Sequence, residues 1–479
     1  MLFRSNARMS DPAAAKSHFE SGVRHWQAGA LAEAVASFED ALRLDPQLAP
    51  AHVNLGLIRE HGGALDAATQ HYRAAIAIDP ALFQAQLNLG VVLAAQKCFR
   101  EAEVAYLAAL AIDPLAAAAW SNLGVLYAST WREAQAEQCY RQALEIDPAY
   151  ARARFNLAYV LLRQGRYEEG WAAMEARDWA DALAPRLACP RWHGEAPAGR
   201  ALLIVHEGGH GDLIQFCRYA AVLKTMGARQ IGIVCPPALK RLLAQQAVFD
   251  AVFALDAELP ASGWDAWVPF LSLPHLCGTR VDHLPDTLPY LRPDANEVAR
   301  WGERIAAGAG LRVGLVWKGS TGFENDADRS LPSLATLAPL AAVPGVQWFS
   351  LQVGAGQDEA RQPPPGMTIT PLSDGFTDFA DTAAALMHLD LVIAVDTAVA
   401  HLAGALGRPC WVLLPAYKPD WRWLAGRTDS PWYPGVMRLF WQPRMGDWAP
   451  VVQALAQALA RSEEHTSELQ SPCNLVCRL

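Results

Sequence analysis

The chain has 479 residues, 52% of them hydrophobic and 19% charged, which is enough apolar material for a sizeable core and excludes global disorder. Its 40 basic against 49 acidic side chains give a formal charge of −9, the wrong balance for a general nucleic-acid binder. No apolar run of roughly 18 residues is present, the opening MLFRSNARMSDPAAAKSH lacks a stretch of signal-peptide length, and the nine cysteines form no CxxC pair; the expectation is a reduced, cytoplasmic protein with no membrane span.

At about 150 residues per domain, about three domains are expected. Residues 1–14 read as an N-terminal extension. From there Asp-Pro recurs at 45–46, 79–80, 113–114 and 147–148, and in register NLG or NLA recurs at 54–56, 88–90, 122–124 and 156–158. The step is 34 residues, the period of tetratricopeptide repeats, each a pair of antiparallel helices. Four full repeats run from about 15 to 150, and a fifth decays after Gly165. Gly22, Gly56, Gly90 and Gly124 fall where the first helix passes close to the second. Ala34, Ala68, Ala102 and Ala136 are the matching small residues, and Phe38, Tyr72, Tyr106 and Tyr140 are expected to fill the space between repeats. Proline after aspartate ends the second helix. The array with its capping segment is placed at 15–184.

Asn54, Asn88, Asn122 and Asn156 hold one position in successive repeats and predict a ladder. A side-chain amide both donates and accepts, so such a ladder can grip peptide backbone without reading its sequence. Otherwise asparagine is simply common at this position and bonds a neighbouring helix. The repeats resemble the solenoid of eukaryotic O-GlcNAc transferase, which carries a similar ladder.

Segment 166–200 is a link whose Trp171, Trp179 and Trp192 are expected to cap the open end of the solenoid. Two α/β domains follow, at 185–305 and 306–460. In the first, ALLIVH, QIGIVCP, DAVFAL and DAWVPF read as strands, with DLIQFCRYAAVLKTMG as one helix after the first. In the second, GLRVGLVWKG, VQWFSLQ, MTITPL, DLVIAVD and RPCWVLLP read as strands, with TAVAHLAGALG as a helix. Apolar strands alternating with helices imply parallel sheets, so the fold class is an α solenoid followed by two Rossmann-like domains facing each other.

Ligands in such sheets bind beyond the carboxyl ends of the strands, where three polar loops fall. In EGGHGD, residues 207–212, Asp212 opens a helix, and with Gln215 it matches a capping box. In WKGSTGFENDADRSLP, residues 317–332, Lys318 and Arg329 can neutralise a diphosphate, and Asp326 and Asp328 form a DxD that reads as a solvated turn rather than a metal site. In DTAVAHLAG, Asp396 ends a strand, Thr397 starts a helix whose free N–H groups favour phosphate, and His401 lies one turn on. There is no GxGxxG, which disfavours a nicotinamide-dependent dehydrogenase.

The residues HGDLIQFCRY (210–219), RSLPSLATLAPL (329–340), TDFADTAA (377–384), DLVIAVDTAVAHLAGALGRPCWVLLP (390–415), DWRW (420–423) and SPWYP (430–434) carry a specific resemblance. Region 201–450 resembles the GT-B heptosyltransferases of glycosyltransferase family 9, and the 15–450 span is similar to bacterial tetratricopeptide-repeat proteins with such a C-terminal domain. The resemblance implies a glycosyltransferase with a nucleotide-sugar donor and no cofactor or metal. It makes Asp212 the base, makes Asp396, Thr397 and His401 the donor site, and puts Arg329 near the diphosphate. Two departures stand out: Ala398 replaces the usual glycine after the threonine, and Gly208 and His210 stand where glutamine and leucine are expected. Trp421, Trp423 and Trp432 would either stack on a base or sugar or close the core. The function expected is sugar transfer by metal-independent displacement to an acceptor, a polypeptide held by the solenoid. The alternative is a non-catalytic interaction scaffold with a degenerate GT-B domain. A lipid-linked acceptor would call for a basic amphipathic helix, and the sequence has none.

The tail is set apart. Arg461 to Ser471 reads RSEEHTSELQS, which looks like the translation of a sequencing-library adapter, and 461–479 is excluded from fold reasoning as an artefact.

Overall fold

The structure is a computed structural model describing residues 11–305, 308 and 310–464. Most of the N-terminal extension and residues 465–479 of the adapter-like tail lie outside the described residues. Contacts divide the chain into two compact units, residues 1–157 and 158–479. That division falls inside the ninth helix rather than at 184, because the tenth helix packs into the α/β unit. No helix among the described residues is long and apolar enough to cross a membrane.

The repeats form helix pairs α1 (Pro12–Gln27) and α2 (Leu31–Leu44), α3 (Ala49–His61) and α4 (Leu65–Ile78), α5 (Phe83–Ala95) and α6 (Phe99–Ile112), and α7 (Ala117–Ser129) and α8 (Glu133–Ile146). A fifth pair is α9 (Ala151–Arg163) and the shortened α10 (Tyr167–Met174). Each second helix stops at the aspartate of Asp-Pro, whose backbone is extended at φ between −137° and −130°. The same carboxylates, Asp45, Asp79, Asp113 and Asp147, accept from the N–H two residues on at 3.0 Å, which shapes the turn into the next repeat.

The glycine positions correct one expectation. Phe38, Tyr72, Tyr106 and Tyr140 do not merely fill space between repeats: each ring packs against the glycine of its own repeat. A Cβ at Gly22, Gly56, Gly90 or Gly124 would fall 2.5–2.6 Å from that ring. In the fifth pair Ala158 and Met174 take the two places, and a flexible methionine replaces the rigid ring once the glycine is gone.

The second unit holds two parallel sheets. In the first, β1 (Ala201–Val205), β2 (Gln230–Cys235), β3 (Ala251–Ala254) and β4 (Ala266–Pro269) run in the order β3-β2-β1-β4. The stretch after β1 is not one helix but two, α11 (His210–Phe216) and α12 (Tyr219–Thr225). The break is at Cys217 and Arg218, where the Arg218 side chain turns back to accepting carbonyls of Gln215, Pro285 and Trp432. The helices α13 (Pro237–Ala244), α14 (Leu273–Leu276) and α15 (Ala295–Arg304) complete this part.

The second sheet comprises β5 (Leu311–Val316), β6 (Val346–Ser350), β7 (Ile369–Pro371), β8 (Leu391–Val395), β9 (Cys410–Leu414) and β10 (Met437–Trp441), ordered β10-β9-β8-β5-β6-β7. Counted from β5 this is 3-2-1-4-5-6, the doubly wound nucleotide-binding order. The strand β10 was not foreseen, because VMRLFW offers no alternation or helix partner to mark it. The helices here are α16 (Asp326–Arg329), α17 (Phe379–Leu386), α18 (Ala398–Ala405) and α19 (Ala449–Glu464). The last helix runs past the expected boundary at 460, with Val451, Leu455 and Leu459 buried in the core of this sheet.

The tryptophans of the link take three different places. Trp171 is buried in the α/β unit, its ring 5.0 Å from Trp421 and 6.1 Å from Phe216. Trp192 is buried against β4, with its N–H on the Trp267 carbonyl at 2.7 Å. Trp179 is exposed.

Candidate functional site

Both sheets reverse strand order beside their first strand, between β1 and β4 and between β5 and β8. These reversals open the crevices where doubly wound sheets take ligands. The loop 206–211 leaves β1, Lys318 follows β5, and Asp396 follows β8 directly.

The turn into α11 is built on glycine. Gly208 sits at φ +69°, and a Cβ there would meet the Asp212 carboxylate at 2.9 Å. The N-cap of α11 is Gly209, not Asp212. Asp212 stands three residues inside, and its Oδ2 reaches back to accept the Gly209 N–H at 2.7 Å. Gln215 takes no part in capping; it is wholly buried, and its Oε1 accepts from Arg422 Nε at 2.5 Å.

On the other side, Thr397 caps α18 with extended backbone, and its buried Oγ1 has no hydrogen-bond partner among the described residues. Asp396 Oδ2 accepts from Trp423 Nε1 at 3.0 Å, and its Oδ1 lies 3.9 Å from His401 Nε2. His401 is buried, stacked on Trp423 at 5.3 Å, and bonded through Nδ1 to the Tyr433 hydroxyl at 2.9 Å. The turn of α11 lies directly on the start of α18: a Cβ on Gly211 would fall 2.9 Å from His401 Cδ2 and 3.3 Å from Ala398 Cα.

The loop after β9 joins the two sides. Lys418 and Leu424 hold left-handed backbone at φ +46° and +50°, a strained pair of non-glycine residues that bracket DWRW. Asp420 caps the short 3-10 turn Trp421–Trp423 and takes the Arg422 guanidinium at 2.8 and 2.9 Å. The far end of the same guanidinium donates to Asp212 Oδ1. A second tie runs from Arg241 in α13 to Asp378 and Asp381 at the start of α17, at 2.6 and 2.7 Å.

Burial sets the electrostatics. It pushes the Asp396 carboxyl up to about 6, with the Asp420 charge adding to it, while the Trp423 N–H, Arg329 and Arg422 oppose. Burial holds His401 well below its usual range, as do the charges of Arg422, Arg218 and Arg329, so it is neutral at pH 7. His206, at the end of β1, is pushed down to about 4 by burial and then by His210.

The structure thus sets the α11 turn that carries Asp212 against the start of α18 that carries Thr397 and His401, beside Asp396, with Arg329 close enough for its charge to act on Asp396 and His401. Arg329 is anchored by Asp326 at 3.2 Å and lies over the Phe323 ring. Asp326 also accepts from Ser330, so half of the DxD is a buried support rather than a solvated turn. Lys318 is not drawn in; its ammonium pairs with Glu359 at 3.3 Å. Trp421, Trp423 and Trp432 are buried and close the core, with Trp432 Nε1 donating to the Tyr167 hydroxyl at 3.0 Å. Asn54, Asn122 and Asn156 are half-buried at one register position of α3, α7 and α9. Asn88 on α5 is buried and accepts from Gln84 at 2.7 Å.

Arg422, Asp420 and Tyr433 were missed as site residues. The signal was present: a charged pair interleaved with two tryptophans in DWRW has no reason to exist in a plain core segment.

Tetratricopeptide-repeat families match residues 2–49, 19–82 and 87–148, and again 134–165. The glycosyltransferase family 9 (heptosyltransferase) model matches 357–418, which includes Asp396, Thr397 and His401 but not Asp212, Arg329, Arg422 or Tyr433. Protein FlbA of Caulobacter vibrioides is 30% identical over 335 residues, covering 63% of this chain and 54% of FlbA. The chain therefore spans about half the length of that curated relative. Among solved structures, Pseudomonas aeruginosa pilF is 23% identical and covers 34% of this chain and 75% of its own, with a TM-score of 0.32. MamA from Desulfovibrio magneticus RS-1 is 20% identical over 34% of this chain and 90% of its own, with a TM-score of 0.31.

Proposed function

We propose that this chain, a tetratricopeptide-repeat protein with a glycosyltransferase family 9 segment in a parallel α/β region of GT-B type, transfers a sugar from a nucleotide-sugar donor to an acceptor. The observation that carries the reading is the convergence on DWRW of both sides: Arg422 donates to Asp212 from the β1 side, and its neighbour Trp423 donates to Asp396, which faces His401, from the β8 side. Asp212 would take the acceptor hydroxyl proton as that oxygen attacks the anomeric carbon and the bond to the diphosphate breaks. The charge of the leaving nucleoside diphosphate would meet Arg329 and the free N–H groups at the start of α18, with Lys318 joining on release from Glu359. These fixed positive groups can serve without a metal. A polypeptide acceptor on the repeats, gripped through Asn54, Asn122 and Asn156, with Asn88 buried on Gln84 and out of the ladder, is the partner we favour, since stacked repeats present an extended surface to other chains.

One observation favours a second reading, a non-catalytic scaffold. The turn of α11 covers the start of α18 at Ala398, and both oxygens of Asp212 are engaged, by Gly209 and Arg422. The two readings part in a calorimetric titration of residues 1–460 against nucleoside diphosphates and their sugar conjugates without added metal. Binding of one nucleotide class, lost in Asp396→Ala, supports the transferase. Absence of binding across the panel overturns it in favour of the scaffold. Given binding, Asp212→Asn is expected to abolish transfer and keep donor affinity; unchanged turnover removes Asp212 as the base.

A further inference from the structure

His401 sits at the centre of the site, and its two ring nitrogens meet different neighbours. Nδ1 faces the Tyr433 hydroxyl at 2.9 Å; Nε2 faces Asp396 Oδ1 at 3.9 Å, beyond direct hydrogen-bond reach. A neutral imidazole carries one proton, so one nitrogen donates and the other accepts. Which it is decides what the site offers to a ligand.

The surroundings of Tyr433 and the carboxylate of Asp396 bear on the choice together. Its ring lies on Gly404, three residues after His401 on the same face of α18; a Cβ there would fall 2.4 Å from the ring. The preceding residue is pinned too, because Arg218 donates to the Trp432 carbonyl at 2.8 Å. The nearby Tyr290 hydroxyl already donates to the Ile214 carbonyl at 3.0 Å and accepts from Arg218 at 2.9 Å. Tyr290 therefore has no proton to give to Tyr433, though it can still accept one, so the Tyr433 proton has two acceptors within reach, His401 Nδ1 and the Tyr290 oxygen, and Asp396 decides between them. The opposite arrangement, with Nδ1–H donating and Tyr433 passing its proton to Tyr290, would turn an imidazole lone pair toward the Asp396 carboxylate. Repulsion opposes that, while an Nε2–H facing the carboxylate is attracted to it.

We propose that Tyr433 is the positioning residue of this site: its hydroxyl donates to His401 Nδ1 and locks the ring as the Nε2–H tautomer, a neutral donor aimed at the Asp396 side of the crevice. The ligand atom that meets His401 must then be a hydrogen-bond acceptor, as a phosphate or sugar oxygen is. This last step rests on the nucleotide-sugar reading; the tautomer does not. Gly404 and the SPWYP segment acquire a purpose from it, the first by admitting the ring and the second by supplying it.

The test is a long-range proton–nitrogen correlation spectrum of the full chain with labelled histidine near pH 7.5, His401 being identified by the signals lost in His401→Gln. The expected wild-type pattern is protonated Nε2 and bare Nδ1. Tyr433→Phe keeps the ring and the packing but removes the proton, and should shift the pattern toward a tautomer mixture in a chain that still unfolds cooperatively, its melting temperature lower by a few degrees. Gly404→Ala, which displaces the ring, should give the same spectral change. Affinity for a nucleoside diphosphate should fall about tenfold in Tyr433→Phe, the size of one lost hydrogen-bond preference. A wild-type Nδ1–H pattern, or a spectrum unmoved by Tyr433→Phe, overturns the proposal. The expected spectra in a chain that binds no nucleotide would support the tautomer and count against the glycosyltransferase reading alone.

Discussion

The repeats and the α/β unit are held by contacts of opposite kinds. In the repeats the decisive contact joins residues sixteen apart, Gly56 to Tyr72 or Gly90 to Tyr106, and it recurs with the period of the sequence. In the α/β unit the decisive contacts join residues 207, 210 and 214 apart: Gln215 to Arg422, Asp212 to Arg422, and Arg218 to the Trp432 carbonyl. The first kind is apolar, local and repeated, so losing one copy leaves the others. The second is charged, buried and unique, and every member depends on the rest.

The sharpest way to test that contrast is Arg422→Met. It strands Asp212, Asp420 and Gln215, and removing one partner of a buried charge network costs about 3–5 kcal/mol. Denaturant unfolding followed at the tryptophans of the α/β unit should show the loss, and far-ultraviolet helix signal from the repeats should persist beyond it. Coincident loss of both would break the comparison.

Asp396→Asn should act in the other direction. The folded carboxyl is raised to about 6 from an ordinary 3.8, so the folded state holds the proton more tightly and stability falls as pH rises through that window. Asparagine keeps an acceptor for Trp423 and carries no charge. It should stabilise the chain by about 3 kcal/mol above pH 6 and by nothing below pH 4, at the expense of donor binding. Melting temperature against pH reads the difference; a gain independent of pH would refute the assigned cause. His206, lowered to about 4, has the opposite sign: its contribution is present above pH 6.5 and is lost as pH falls toward 4.

Within the repeats, Gly90→Ala forces a Cβ against the Tyr106 ring and should cost about 1–3 kcal/mol. Adding Tyr106→Met reproduces the Ala158 and Met174 pair of the fifth repeat and should recover most of it. A double variant no better than the single would show that the fifth pair owes its stability to something else. The smallest effect is expected from Asp113→Ala, which removes one turn-shaping bond to the Leu115 N–H at 3.0 Å and should cost about 0.5–1.5 kcal/mol.

The sequence by itself determined the repeats, nine of the ten strands, and the loops in which Asp212, Arg329, Asp396, Thr397 and His401 stand. Each of these is written in short-range pattern: a 34-residue period, apolar runs between turns, a polar cluster after a strand. Only the tertiary structure decided that Asp212 caps from inside its helix, that Lys318 turns away to Glu359, that three tryptophans are buried, and that Arg422 meets Asp212 and Tyr433 meets His401. Burial and charge partnership arise between segments some two hundred residues apart, brought together by sheet order and a strained loop, and no local pattern along the chain encodes which of many polar residues will meet.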